Sequence, residues 1–276
     1  GNSNNNNIIF TNLEDLVSDS HHEESFWRKY IFSTDHKIIG LQYGITALMF
    51  LFFGFSLMMV MRWQLAYPDT AVPIVGGLVQ WLADLNGYAS VGGTLPSDLY
   101  NVFGAMHGTI MIFLGVVPII VGAFGNYIVP LQIGAPDMAF PKLNMASYWV
   151  YFIGGIVMLV SFFLPGGAAN SGWTSYPPLS DIATIGQTYW LIGMVFLITS
   201  SLLGSMNIIV TIVQLRAEGM TWMRLPFFVW SQLVTSFLLV LAFPPLEAAG
   251  IFQLMDRVFG TSFFLPSGLV VGGQAL

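Results

Sequence analysis

The sequence predicts an all-α integral membrane protein. Of its 276 residues, 55% are hydrophobic and only 8% are charged, whereas about a quarter of the residues of a soluble domain carry a charge. Five stretches are long and apolar enough to cross a bilayer, whose hydrocarbon core requires roughly 20 apolar residues in a helix. The 23 phenylalanines and 8 tryptophans suit lipid contact and the aromatic belts at the membrane surfaces.

The chain begins with a polar, Asn-rich and acidic segment, residues 1–30. This segment lacks the basic start, short apolar core and small-residue cleavage site of a secretory signal peptide. Its composition predicts a disordered or partner-bound tail, and residues 31–276 form the predicted membrane portion. The net charge of −6 gives no indication of a nucleic-acid partner. With no cysteine, the chain holds no disulfide, thiolate metal site or iron–sulfur cluster.

The predicted spans are residues 38–61, 103–129, 148–164, 190–213 and 226–243. Between them lie segments rich in proline and glycine, and the longest, 62–101, contains a short amphipathic stretch, GGLVQWLADL. We find neither an internal repeat nor the paired broken helices that are common in transporters. The last span is followed by DRVFGTSFFLPSGLVVGGQAL with no closing element, so we expect the sequence to be part of a longer protein.

Basic residues predict the orientation of the spans, because they concentrate on the cytoplasmic or matrix side. With the N-terminus on that side, it receives six basic residues and the opposite side receives two. The six are Arg28, Lys29, Lys37, Lys142, Arg216 and Arg224, and the two are Arg62 and Arg257. The sequence therefore predicts an N-terminus on the cytoplasmic or matrix side of a bacterial or mitochondrial inner membrane.

The second span contains the only histidine within a predicted span, His107. A polar ring is costly in hydrocarbon, so we expect it to face the bundle interior and to meet a partner. Neutral imidazole is a common axial ligand of heme iron, but a hydrogen bond to a neighbouring helix is the commoner arrangement. A glycine stripe beside the histidine permits close approach by either a helix or a flat macrocycle. The stripe consists of Gly104, Gly108, Gly115 and Gly122.

The fourth span carries a face of small and polar residues. On a helical wheel this face comprises Gly193, Ser200, Gly204, Asn207 and Thr211, with Ser201 beside it. Such side chains could organise a file of water for proton transfer, but they also mediate helix packing in membranes. The stripe alone does not choose between the two interpretations.

Five motifs, in this order, resemble one family of membrane proteins: STDHKIIGLQY, GNYIVPLQIGAPDMAFPKLN, SGWTSYPPLS, RLPFFVWS and GTSFFLP. From about Arg28 to its last residue, the chain resembles subunit I of heme-copper oxidases, and it is similar to the aa3-like cytochrome c oxidases. The resemblance implies a twelve-helix bundle, of which this sequence covers the first five helices. It also implies the catalytic subunit of a respiratory terminal oxidase that reduces oxygen to water and pumps protons.

The resemblance gives four residues a place beside a low-spin heme A. It implies that His107 is an axial ligand of the heme iron and that Arg62 donates a hydrogen bond to the heme formyl group. It places Trp173 and Tyr176 near the heme propionates, on the route of electrons and product water. From the residues alone, Arg62 is an interfacial anchor, and the two aromatic residues belong to a membrane-surface belt.

The resemblance also implies a proton-uptake pathway that begins at Asp137 in the loop after the second span. A loop aspartate by itself more often caps a turn. The resemblance adds Asn126, Asn144 and Tyr43 near the entrance, and the polar face of the fourth span continues the pathway with Ser200, Ser201 and Asn207. Glu247 is expected at the outer end of the fifth span, with no role beyond that of an interfacial carboxylate.

The oxygen-reducing site requires groups that we expect outside this sequence. The resemblance implies a second heme and a copper ion in the complete subunit, and their ligands are absent here, so no catalytic residue is assigned. Expected partners are the remaining portion of subunit I, a copper-A subunit II and cytochrome c as electron donor. The alternatives are a quinol oxidase, a heme-holding but catalytically inert subunit, and a non-redox membrane transporter.

Overall fold

A computed structural model describes residues 25–265, 270–271 and 274–275. Most of the predicted tail, residues 1–24, lies outside the described residues. Residues 25–33 belong to a separate compact unit and contain a single π-helical turn, Trp27–Ile31. The second unit begins at Thr34 and contains the membrane helices.

Helices make up most of the described part of the second unit. In chain order they are α1 (His36–Ala66), α2 (Gly76–Asn86), α3 (Ser97–Ile133), α4 (Pro141–Val160), α5 (Leu179–Ile182), α6 (Ile185–Gln214) and α7 (Phe227–Phe259). Short 3₁₀ turns lie at Ser161–Phe163 and Trp222–Arg224, and two-residue strands β1 (Val270–Val271) and β2 (Gln274–Ala275) pair antiparallel. Within the described residues, α1, α3, α4, α6 and α7 are long and apolar enough to cross a membrane. The predicted all-α membrane fold is therefore confirmed.

The second span, α3, is not a uniform helix. It is α-helical over Ser97–Thr109, π-helical over Ile110–Val116 and Pro118–Gly125, and α-helical again over Asn126–Ile133. Pro118 lacks a backbone N–H and therefore interrupts the regular hydrogen-bond ladder in the middle of the span. Wider π-helical turns of this kind are frequent at functional sites.

The spanning helices are mostly longer than the hydropathy pattern predicted. α1 begins at His36 rather than at 38, because Oδ1 of Asp35 accepts hydrogen bonds from the backbone N–H groups of Lys37 (2.7 Å) and Ile38 (3.3 Å). α3, α4 and α6 likewise begin before the predicted starts at 103, 148 and 190. Apolar runs mark only the hydrocarbon depth, whereas helical hydrogen bonding continues through polar residues at the membrane surface.

The predicted end of the fifth span, residue 243, is wrong. α7 continues through Pro244 and Pro245 to Phe259. Proline is tolerated in spanning helices because neighbouring groups and local adjustments satisfy the backbone groups that it frees. Glu247 consequently lies well inside the helix rather than at its outer end, so its predicted position is also wrong.

Glycines set the close approaches between spans. A Cβ on Gly115 would lie 2.4 Å from Leu51 Cδ2, and one on Gly122 would lie 2.7 Å from Tyr43 Cδ1, both on α1. Between α4 and α6, a Cβ on Gly154 would lie 3.0 Å from the carbonyl oxygen of Gly193. Most of the glycine stripe on α3 and the first member of the polar face on α6 therefore serve helix packing.

Candidate functional site

His107 lies on α3 and is oriented by α1. Its Nδ1 atom is 2.8 Å from the backbone carbonyl oxygen of Gly54. A carbonyl oxygen only accepts hydrogen bonds, so Nδ1 carries a proton, and in the neutral ring Nε2 keeps its lone pair. A second-shell hydrogen bond of this kind fixes the tautomer and ring orientation of metal-ligating histidines.

The surroundings of His107 fit a porphyrin iron. Within the described residues Nε2 makes no hydrogen bond, and the ring is only half-buried. A Cβ on the neighbouring Gly108 would meet only Trp173, at an ordinary 3.7 Å. The described part of the chain contains no group of three or more His, Cys, Asp or Glu side chains that could hold a metal ion. A single neutral nitrogen suits iron whose remaining ligands come from a macrocycle.

The structure places Trp173, Tyr176 and Arg62, the other predicted heme residues, in different surroundings. Trp173 is half exposed and packs against Phe113 of α3, with ring centroids 6.1 Å apart. The structure therefore brings Trp173 to the same part of α3 as Gly108. Tyr176 is 74% exposed. Arg62 is also exposed and lies two helical turns, roughly 12 Å, along α1 from Gly54.

The loop that carries Trp173 and Tyr176 is held by Arg257 of α7, which the sequence analysis treated only as a charge. All five N–H donors of its guanidinium are used. Nε donates to Thr188 Oγ1, and the two Nη atoms donate to the backbone carbonyls of Ser180, Asp181, Ala183 and Thr184 at 2.7–2.9 Å. No sequence pattern identifies this role, because the five acceptors are brought together only by the folded loop.

Beneath this loop, α6 and α7 enclose a largely apolar cavity of about 350 Å³. Its walls include Trp173, Tyr176, Trp190, Leu246 and Gln253. The Gln253 amide donates to the backbone carbonyl of Ser175 at 2.6 Å and accepts from the Ser175 hydroxyl at 2.8 Å. The sequence alone does not predict this cavity, because its walls come from segments that lie far apart in the chain.

A second, smaller cavity of about 30 Å³ collects four of the predicted proton-pathway residues. Tyr43, Asn126, Ser200 and Ser201 all line it. Apolar side chains make up most of its lining, but these four residues give it hydroxyl and amide groups, and we refer to it as the polar cavity. A cavity of this volume has room for at least one water molecule. The structure thus brings together residues from α1, α3 and α6 that the sequence could only place on separate helices.

Beside this cavity the hydroxyl groups form a connected chain. The Tyr43 hydroxyl donates to Ser147 Oγ at 3.1 Å, and Ser200 Oγ lies 3.2 Å from the same tyrosine oxygen. Ser147 Oγ in turn donates to the backbone carbonyl of Asn144 at 2.7 Å. Ser147 of α4 is fully buried. It was not predicted because it lies one residue before the predicted third span, 148–164.

Two asparagines near this chain have buried amide atoms without partners. Asn144 is fully buried, and neither its Oδ1 nor its Nδ2 has a hydrogen-bond partner among the described residues. Oδ1 of Asn126 also lacks a hydrogen-bond partner among the described residues, although its Nδ2 donates to the Gly122 carbonyl. Buried polar atoms of native proteins are nearly always satisfied by protein or by ordered water. Ordered water beside both side chains would satisfy these atoms.

Asp137 lies in the loop between α3 and α4, and burial raises the pKa of its carboxyl group above the ordinary value. The backbone N–H of Met138, 2.6 Å from Oδ1, opposes this effect, as does nearby His36. His36 is buried, and its Nδ1 contacts the backbone carbonyl of Asn126 at 2.8 Å. His36, which the sequence analysis left without a role, therefore adjoins both the loop carboxylate and a residue that lines the polar cavity.

Asn207 is not brought to that cavity. Its Oδ1 accepts from the backbone N–H of Phe140 at 2.9 Å, and its Nδ2 donates to the Phe140 carbonyl at 3.1 Å. Thr211 Oγ1 accepts from the backbone N–H of Ala139 at 2.9 Å. These two residues of the polar face hold the loop that carries Asp137.

Comparison with known proteins gives one family. The family model described as cytochrome C and quinol oxidase polypeptide I matches residues 38–276. Cytochrome c oxidase subunit 1 of Thermostichus vulcanus is 44% identical over 242 residues, which cover 87% of this chain and 40% of the relative. The corresponding subunit of Synechocystis is 39% identical over 251 residues, covering 90% of this chain and 41% of the relative.

An alternative cytochrome c oxidase subunit 1 of Bradyrhizobium diazoefficiens is similar at 37% identity over 260 residues, which cover 92% of this chain and 40% of the relative. The chain therefore spans about two-fifths of the length of these curated relatives.

Proposed function

The chain belongs to the cytochrome c and quinol oxidase polypeptide I family, and from this premise we propose that it forms the first part of the catalytic subunit of a proton-pumping respiratory terminal oxidase. In the complete subunit, electrons from cytochrome c pass through a low-spin heme to a heme–copper centre that reduces oxygen to water. Because the chain belongs to this oxidase family, we no longer propose a non-redox transporter.

His107 is the residue that would hold the low-spin heme, through Nε2. The observation that carries this assignment is the 2.8 Å contact between His107 Nδ1 and the Gly54 carbonyl, because in the neutral ring it places the proton on Nδ1, leaves Nε2 for iron and fixes the direction of the ring. Bound there, the heme supplies reversible one-electron chemistry at iron. The contribution of the chain is to orient the ligand and to keep its tautomer constant.

We propose heme A because Arg62 lies on α1, the helix that orients His107, and is free in the described structure to donate to a formyl group. Trp173 packs on α3 beside Gly108 and would cover the heme edge near the propionates. Tyr176 extends the same loop toward the outer surface. Arg257 would serve the two aromatic residues indirectly by holding that loop through five hydrogen bonds.

Protons would enter near Asp137 and continue to the polar cavity. Tyr43, Asn126, Ser200 and Ser201 line that cavity and would hold its water. The unpartnered amide atoms of Asn144 would hold further water along the route. Asn207 would act by fixing the Asp137 loop rather than by contacting the protons.

The complete enzyme would combine this chain with the remaining portion of subunit I and a copper-A subunit II. The N-terminus would face the cytoplasm or matrix, the side of six of the eight basic residues, in a bacterial or mitochondrial inner membrane. Cytochrome c is the proposed donor. The family description also names quinol oxidases, so quinol is the alternative, and donor assays on the purified complex distinguish the two.

The test is His107→Ala in the complete subunit within its complex. We expect the absorption of the low-spin heme in the reduced-minus-oxidised spectrum to be lost, together with oxygen consumption. Met106→Leu, a conservative change at the adjacent buried residue, controls for disturbed packing and should retain both.

A His107→Ala protein with an unchanged heme spectrum would contradict the assignment. A wild-type complex that binds the low-spin heme but consumes no oxygen with any donor would instead favour the catalytically inert alternative.

A further inference from the structure

The short helix α2 contributes to an apolar cavity beside the second half of α1. The volume of this cavity is about 340 Å³, which falls in the usual range of small-ligand pockets, roughly 300–1,000 Å³. Besides α1 and α2, the beginning of α3 and the 3₁₀ turn after α4 contribute to its lining, through Phe103, Phe162 and Phe163. We refer to it as the α2 cavity.

The lining of the α2 cavity offers almost nothing to a polar ligand. Of the side chains that form it, those of Ser56 and Trp81 carry a polar atom and none carries a charge. The Ser56 hydroxyl already donates to the backbone carbonyl of Phe52 at 2.8 Å. Cavities lined in this way stay dry and bind apolar molecules, so the part of a ligand that enters must be hydrocarbon.

The α2 cavity is continuous with the exposed apolar surface of a membrane-spanning helix. At its edge, the side chains of Leu78, Trp81 and Phe163 are 50–60% exposed, and the rings of Trp81 and Phe163 lie 6.1 Å apart. On α1, the lining residues have as their neighbours an exposed apolar stripe, which comprises Phe52, Phe55 and Met59. A molecule in the bilayer beside α1 can therefore enter the cavity without crossing water.

The size of the α2 cavity favours a lipid chain over a further helix. One turn of an α-helix, about 10 Å wide and 5.4 Å long, occupies roughly 400 Å³. The cavity of about 340 Å³ is therefore too small for even one turn of a spanning helix. A hydrocarbon chain, which is a single carbon atom wide and flexible, fits an irregular space of this volume.

Trp81 supplies the one free donor at the edge of the α2 cavity. Within the described residues its Nε1 makes no hydrogen bond, and half of the side chain is exposed. By contrast, Nε1 of Trp63, near the end of α1, donates to the backbone carbonyl of Ala71 at 3.0 Å. Tryptophans at a membrane surface keep the ring in the apolar layer and direct the N–H to polar groups at headgroup level.

We propose that the α2 cavity binds one acyl chain of a phospholipid from the outer leaflet, and that Trp81 Nε1 donates to an ester carbonyl of the same lipid. The chain fills the apolar space between α1 and α2, and the headgroup stays at the membrane surface. The assignment to the outer leaflet rests on the orientation proposed above. The binding of the chain requires only that the protein spans a membrane.

Native mass spectrometry tests the site in the complete subunit within its complex. The complex is reconstituted with palmitoyl-oleoyl phosphatidylcholine and returned to detergent, and the retained phospholipids are counted. Ser56→Trp fills the cavity and should retain one phospholipid fewer than the wild type. Leu85→Trp adds a ring of the same size on α2 but outside the cavity, so it should retain the wild-type number.

Trp81→Phe tests the proposed hydrogen bond. It keeps an aromatic ring beside Phe163 but removes the donor, so retention of the phospholipid should weaken about fivefold, the equivalent of one hydrogen bond. Retention equal to that of the wild type would overturn the role of Trp81. A loss of lipid in Leu85→Trp equal to that in Ser56→Trp would place the lipid on the surface of α2 and overturn the cavity as its site.

Fluorescence gives a second measurement that does not depend on the assembly of Ser56→Trp. The emission of Trp81 is the difference between the spectra of the wild type and Trp81→Phe. Phosphatidylcholine with brominated acyl chains should quench most of this difference. Unquenched emission would show that a protein segment covers the cavity, and equal lipid numbers for the wild type and Ser56→Trp would show that no lipid occupies it. Neither readout uses the heme spectrum or oxygen consumption, so failure of this proposal is distinguishable from failure of the proposed function.

Discussion

Around His107, α3 presents one polar ring with one hydrogen-bonded nitrogen. Between Phe113 and Asn126 the same helix borders a cavity that is lined in part by hydroxyl and amide groups. Among the described residues, the one hydrogen-bond partner of the His107 ring is a backbone carbonyl of α1, and Nε2 is left for a ligand. At the cavity, Tyr43 and Ser200 bond to each other while Asn126 retains an unpartnered oxygen. The first arrangement suits one directed bond to a bound group. The second suits water, which adapts to several donors and acceptors.

The glycines of α3 give the sharpest test of this difference. A Cβ on Gly122 would lie 2.7 Å from the Tyr43 ring, whereas one on Gly108 would meet Trp173 at 3.7 Å. Gly122→Ala should therefore lower the stability of the protein by ~1–3 kcal/mol, the usual cost of overpacking. Gly108→Ala should change stability by less than about 0.5 kcal/mol but weaken heme retention.

Thermal unfolding of the detergent-purified complex, followed with its heme spectrum, measures both effects. Equal unfolding midpoints for Gly122→Ala and Gly108→Ala would show that α1 and α3 do not approach more closely at the cavity than at His107.

A substitution of Asn144 tests whether water occupies the bundle beside the polar cavity. Asn144→Leu removes two amide atoms that have no partner among the described residues. If they hold water, one lost hydrogen bond of ~1.4 kcal/mol slows proton uptake about tenfold. Stopped-flow measurement of proton uptake with a pH dye gives the rate. A dry site predicts the reverse, a more stable protein with unchanged uptake, because two unsatisfied groups would have been removed.

The sequence predicted which helices carry His107 and the cavity residues, but it did not predict the contacts that these residues make. Five apolar runs were enough for the fold because hydropathy directly reports burial in lipid. His107 was identifiable because a histidine in a span is costly. The partner of its Nδ1, the Gly54 carbonyl, was not, since every residue of α1 has a carbonyl and only packing selects one.

Other failures have equally local causes. Pro244 and Pro245 looked like a helix end because proline ends most helices in water, and this hid the depth of Glu247. Asn207 shares a helical face with Ser200, but two turns, roughly 10 Å, separate them along α6. The loop before α4 comes close enough to bond Asn207, and no periodicity predicts where that loop returns.

Substitutions of two neighbouring tyrosines distinguish a proton route from ordinary packing. Tyr43 and Tyr148 are both buried, their ring centroids are 5.2 Å apart, and each hydroxyl is bonded. Tyr43 contacts Ser147 and Ser200, whereas the Tyr148 hydroxyl contacts Thr46 at 3.1 Å. Tyr→Phe at either position should cost about 1 kcal/mol of stability. Only Tyr43→Phe should also slow proton uptake, and equal rates for the two variants would remove Tyr43 from the route.

The smallest expected effect is the pH dependence that Asp137 gives to stability. Because burial raises the pKa of this carboxyl group above 3.8, the folded protein binds its proton more tightly than the unfolded chain does. The resulting stabilisation is complete below pH 3.8 and is lost as the pH rises through the raised pKa. Asp137→Asn cannot titrate, so the unfolding midpoint of the wild type should fall relative to this variant across that window. The half-exposed position limits the change in stability to less than about 1 kcal/mol. A difference in unfolding midpoint between wild type and Asp137→Asn that stays constant with pH would show that the entrance of the proposed route is as solvated as an ordinary surface loop.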